Sequence, residues 1–199
     1  MLDLAILGFL AERPLPGHEL RRRLSELTGY TRPVSDGSLY PAIKRLAAAG
    51  LLERRADPAG GTARYILSVT AAGRTDLLKR LRRPADHEIS DFTRFFTVLA
   101  FLSLLPDVAE QHAVLRRRLE FLEEPASFFY DGDRPLRAED MADPYRRGML
   151  LTARAISSAE RAWLHEVLDG DEPVTALAET DPLYARTTCE LTSPGGSRP

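Results

Sequence analysis

The stretch from Val34 to Arg55 reads VSDGSLYPAIKRLAAAGLLERR. At about 100° per residue, a helix here puts Leu39, Ile43 and Leu46 on one face, with Ala42 and Ala49 on its flank. Tyr40, Lys44 and Ala48 fall opposite, with Pro41 and Arg45 beside them. Such a helix has an apolar back to seat on a core and a polar, cationic front to meet something else. The chemistry of that front is recognition of a polyanion. Lys44 and Arg45 can neutralise phosphates or reach guanine acceptors, and Ser38 and Tyr40 can donate to phosphate oxygens or bases. The plainer reading of each residue is a solvated surface side chain.

Residue patterns that would signal catalysis are missing. His18, His87, His112 and His165 are scattered without metal-ligand spacing. Cys189 stands alone in a polar tail with no obvious base near it. No Gly-x-Ser-x-Gly, P-loop or dinucleotide fingerprint occurs. The expectation is a protein that is not an enzyme and has no cofactor or metal.

The front of this helix belongs to the basic part of the chain. Residues 1–85 carry 15 Lys and Arg against 8 Asp and Glu, whereas residues 86–199 carry 12 against 21. Only the first part is suited to meet a polyanion. A basic domain docking on an acidic one would leave the same imbalance. The 199 residues allow one or two domains. A single cysteine cannot close an internal disulfide, and no secretion signal is legible, so a cytoplasmic setting is expected. The apolar runs LAILGFLA and FFTVLAFLSLL are shorter than the roughly 20 residues that span a bilayer, so they read as buried helix segments.

The elements that must position this front follow from periodicity and punctuation. Residues 2–11 are apolar almost all round a helix, so that helix is covered on most sides. Arg13–Gly17, RPLPG, breaks it. The next helix has Leu20, Leu24 and Leu27 as one stripe, with Arg21, Arg22 and Arg23 around it as a solvated face. Pro41 is harmless only in a first turn, which puts the regular start of the third helix near Ser38 or makes the preceding turn irregular. Gly50 ends that helix. LLERRAD and ARYILSVT flank a PAGGT turn and read as a β-hairpin, and Thr70 can cap a further helix that Pro84 closes. Three helices, two strands and a helix make a winged helix-turn-helix, whose third helix enters the DNA major groove.

The remainder reads as all-α. One helix covers 88–105, a second starts at Pro106-Asp107 and runs to about Glu124, and residues 125–142 are loop-like. A long helix from Pro144 to Leu168 carries Tyr145, Met149, Thr152, Ile156, Ala159, Trp163 and Val167 at steps of three and four, a narrow packing seam. The expected organisation is 1–85 winged helix, 86–170 helical dimerisation and effector domain, and 171–199 disordered tail.

Several of these segments, in this order, resemble the PadR family of bacterial transcriptional regulators. They are LAILGFLAERPLPGHEL, then Ser38–Pro41 in VSDGSLYPAIKRLAAAGLLERR, then Gly50–Leu52, then Tyr65 to Gly73 in RYILSVTAAGR. The match covers residues 2–83. His18 stands where the family often has tyrosine, and the exit from the wing has one extra residue, Tyr65-Ile66-Leu67-Ser68-Val69-Thr70. The helical half resembles the longer members, which dimerise through those helices.

The resemblance implies a DNA-binding regulator, expected to be a repressor acting as a homodimer on palindromic operator DNA. Expected DNA contacts are Ser38, Tyr40, Lys44, Arg45, Arg54, Arg55 and Arg64. Met149, Ile156 and Trp163 are the candidate dimer seam, with internal packing against 88–124 as the other reading. Phe95, Phe96, Phe128, Phe129 and Tyr130 are candidates to line a pocket for a small aromatic effector, with an aromatic core as the plainer account. The alternative function is a winged-helix module for protein–protein assembly, without operator binding.

Overall fold

The computed structural model describes residues 1–27, 35–56, 65–124, 130–131 and 134–170. Its elements run α1 Leu2–Glu12, β1 Leu15–Pro16, α2 Gly17–Leu27, α3 Asp36–Ala48, β2 Leu52–Ala56, β3 Tyr65–Val69, α4 Ala71–Arg82, α5 Asp86–Ser90 and α6 Phe92–Phe101. There follow a 3-10 turn Leu102–Leu104, α7 Val108–Glu123, β4 Tyr130–Asp131, β5 Arg134–Pro135 and α8 Pro144–Asp169. Two compact units result, Met1–Asp140 and Met141–Pro199. This division by packing is a different one from the expected division by role at 85/86. Arg64, Phe128, Phe129 and the tail from 171 lie outside the described residues.

α1 is the centre of the first unit. Leu4, Ala5, Ile6, Leu7, Leu10 and Ala11 are buried, and they point all round the helix. The apolar sequence forces this, because no face of α1 is polar enough for water. Accordingly α1 packs on α2, α3, α4, α6 and β3. At Gly8 the ring of Phe101 comes so close that an added Cβ would lie 2.5 Å from it. Phe101 also meets Phe9 edge-to-face at 5.0 Å. One aromatic side chain thus seats α6 in a furrow of α1.

β1 was not expected. Leu15 and Pro16 pair antiparallel with Leu67 and Ile66, so the wing hairpin becomes a sheet of order β1-β3-β2. The prolines flanking Leu15 read as a plain break, yet Leu15 is buried and needs this cover. Thr70 caps α4 as expected, accepting from the Gly73 N–H at 3.0 Å. Gly73 tolerates no side chain, since a Cβ would stand 2.1 Å from the Leu51 carbonyl oxygen. Gly50 ends α3 with φ of 70°, a left-handed conformation suited to glycine.

The expected single helix over 88–105 is divided. Asp91 interrupts it, accepting from the Arg94 N–H at 2.8 Å as the N-cap of α6. A carboxylate that can satisfy free first-turn amides starts a new helix here and ends the old one. Asp107 and Asp143 do the same for α7 and α8, accepting from the amides of Ala109 at 2.8 Å and Tyr145 at 2.9 Å. α7 holds α5 and α6 through Arg118, which is 2 % exposed. Its guanidinium donates to the carbonyls of Ile89 and Ser90 and lies over the rings of Phe95 and Phe121 at 4.9 and 5.4 Å.

On α8, Leu150 and Leu164 are buried, two heptads apart on one stripe. Met149 and Ile156 of the expected seam are exposed, at 52 % and 47 %, and Trp163 is half-buried. The seam therefore runs one residue to the side of the buried stripe, about 100° round the helix.

Candidate nucleic-acid interface on the third helix and the wing

α3 starts two residues before the regular start expected from Pro41. Ser35 is its N-cap residue, and the amides of Ser38 and Leu39 both donate to the Ser35 carbonyl at 3.0 Å. Pro41 therefore lies inside α3, one turn beyond this first turn. Ser38 takes part in the first turn, donating its hydroxyl to the same carbonyl at 2.9 Å. Below, Leu39, Ala42, Ile43 and Leu46 are buried, as the periodicity predicts. Above, Ser38, Tyr40, Pro41, Lys44 and Arg45 are exposed.

The cations of this face are not equivalent. Arg45 donates to Asp3 at the start of α1, at 2.5 Å. Lys44 has no hydrogen-bond or ion-pair partner among the described residues. At the start of α3, Asp36 is held by both of its oxygens to one nitrogen of Arg21, at 3.0 and 3.1 Å. Arg22 and Arg23 are drawn to Glu19, at 2.8 and 3.2 Å. Their hydrogen bonds hold the Glu19 carboxyl down at about 2, well below its ordinary value. The same bonds, with Glu26, push Arg22 further up. The arginine run on α2 is thus a carboxylate-bound, exposed network.

On the wing, strand alternation separates two neighbours. Arg54 pairs across from Leu67 and shares a face with Leu52, the buried face of the hairpin. Arg55 pairs across from Ile66 on the other face and bridges to Glu53 at 2.8 Å. Arg54 makes no such bridge among the described residues. Its guanidinium stacks over Tyr65 at 5.2 Å. Beside it is a notch of about 350 Å³, walled by the start of α2, the front of α3 and the wing. Tyr65 and His18 line it with Tyr40 and Arg54. Tyr65 and His18 were not among the expected contacts. Their place depends on the hairpin register and on β1, and neither is readable from residue types.

Three residues of the expected aromatic group are described. Phe95 is fully buried beneath Arg118, whereas Phe96 is half exposed and stacks on Phe92 at 4.4 Å. Tyr130 is half-buried on β4. Among the described residues no group of His, Cys, Asp and Glu is arranged to hold a metal ion, and no helix is long and apolar enough to cross a membrane.

Residues 6–79 match the sequence model of the Transcriptional regulator PadR-like family, over the elements that build this face. The matched span runs from α1 to α4 and takes in α3, both wing strands and the residues that line the notch. No curated protein matches the chain. Solved structures resemble it, among them these two. One is Bacillus subtilis PadR in complex with operator DNA, with 22 % identity, covering 84 % of this chain and 97 % of that one at a TM-score of 0.39. The other is smu.1604c from Streptococcus mutans UA159, with 18 % identity, covering 84 % and 98 % at a TM-score of 0.39.

Proposed function

We propose that this regulator binds operator DNA with the front of α3 in the major groove and the wing along the backbone. The observation that carries the reading is the two-sided build of α3. Its back is fully buried, and its front offers Tyr40 and an unengaged Lys44. A helix with this front, in a domain of a transcriptional-regulator family, is suited to base edges and phosphates. Ser38, Tyr40, Lys44 and Arg45 are the contacts on α3, and Arg54, Arg55 and Arg64 those on the wing.

One winged helix covers little DNA, so selective binding calls for two, related by a twofold axis over a palindrome. The seam Met149–Ile156–Trp163, with Met149 and Ile156 exposed and Trp163 half-buried, supports a homodimer through α8, since it is apolar and outside the buried stripe. Repression is the output proposed, with release by a small-molecule effector that shifts the spacing of the two reading helices.

The test is binding to the protein's own promoter DNA across a salt series, for wild type and Tyr40→Ala/Lys44→Ala. The expected result is selective, salt-sensitive binding that the double variant loses. Selective binding that survives the double substitution would move the reading face elsewhere. Sequence-indifferent binding by wild type would favour a protein-assembly role for the winged helix.

A further inference from the structure

We propose that the notch beside Arg54 seats one sugar-phosphate unit of the DNA backbone, with the Arg54 guanidinium on the phosphate. This rests on the DNA-binding reading above and adds a defined subsite to it.

The chemistry of the walls selects the occupant. The floor is Ile43 and Leu67, both buried and apolar. The rim is Arg54, His18, Tyr40 and Tyr65, all exposed and all able to donate a hydrogen bond. Among the described residues, no carboxylate lines the notch and Arg54 is the one permanent charge on it. A bare anion has no use for the apolar floor, and a neutral apolar ligand has none for the guanidinium. A deoxyribose with its phosphate uses both. The volume, about 350 Å³, is more than a phosphate alone requires.

Of the two described wing arginines, Arg54 is also the readier to bind. Arg45 and Arg55 each have a protein carboxylate within 3 Å, which a phosphate must displace. Arg54 has none among the described residues, so a phosphate exchanges only with water. Its plane is already held by the Tyr65 ring, which reduces the freedom lost on binding. The notch opens next to Tyr40, on the α3 front proposed to enter the groove. The backbone bordering that groove passes there.

The experiment replaces the phosphates of a footprinted promoter site, one at a time, with neutral methylphosphonate. Wild type, Arg54→Gln and Tyr65→Ala are compared on each duplex. One position per half-site is expected to cost wild type about tenfold in affinity, the worth of a charge-assisted hydrogen bond. The same position should cost Arg54→Gln and Tyr65→Ala little, because the seat is already lost. Arg54→Gln should also lower the slope of log affinity against log salt by about one. If every neutralised phosphate costs all three proteins equally, the seat is overturned while DNA binding stands. A wild type that shows no selective binding to any promoter fragment overturns the DNA-binding reading and the seat together.

Discussion

Two regions of this molecule use arginine in opposite ways. In the layer of α5, α6 and α7, Arg118 is buried, stacked between two rings, and bonded to backbone carbonyls at the end of α5. On the face formed by α2, α3 and the wing, the arginines are exposed, and most are bonded to carboxylates of their own chain. The first kind is architecture, because its partners are fixed parts of the fold. The second kind is exchangeable, because a phosphate can take the place of a carboxylate. Counting basic residues, as the charge imbalance between the two parts of the chain does, mixes these roles. The partner each guanidinium has at rest separates them.

The comparison can be broken most directly at Arg118. Arg118→Ala should lower folding stability by about 2–4 kcal/mol, since it strips the partner from buried carbonyls and leaves a cavity. Urea denaturation measures this, and a loss under about 0.5 kcal/mol, typical of a surface site, would remove the distinction. A middle-sized effect is expected at Asp3, on the exchangeable side. Asp3→Asn should leave the melting curve nearly unchanged, because an exposed ion pair is worth about 1 kcal/mol or less. It should instead tighten DNA binding a few-fold at low salt and steepen its salt dependence, by releasing Arg45. Weaker binding would mean that Asp3 aims Arg45 rather than competes for it.

The smallest effect concerns Glu19. Its carboxyl is held at about 2 against an ordinary 4.5, so its bonds to Arg22 and Arg23 stabilise the fold above about pH 4.5. That contribution fades as pH falls from 4.5 through 2, where the folded carboxyl takes up its proton. Glu19→Gln should flatten stability against pH in this window and leave its shape near neutrality unchanged. The network is exposed and screened, so the change should shrink further in high salt.

Much of this fold is legible in residue order. The all-round apolar α1, the back of α3, the Gly50 stop, the Thr70 cap and the extent of α8 follow from periodicity and local capping chemistry. These depend on neighbours within a turn or two. β1 was missed because its only reason is a long-range pairing with β3. The break at Asp91 was missed because the apolar run on both sides hid a capping carboxylate. On the candidate interface, the front of α3 was readable, but the partners of its cations were not. Asp3 and Arg45 are far apart in sequence, and nothing in either residue type announces the pair. Arg54 and Arg55 look alike in the string LLERR, and only the strand register puts them on opposite faces.

The seating of Phe101 in the Gly8 furrow bears on how freely such a protein can be recombined. A detachable DNA-reading module would end cleanly after α4. Here the helix at its heart has a glycine shaped to receive a ring from the following helices. A chimera that exchanges everything after α4 must therefore bring its own aromatic plug, or a bare apolar trough will face the solvent and invite aggregation.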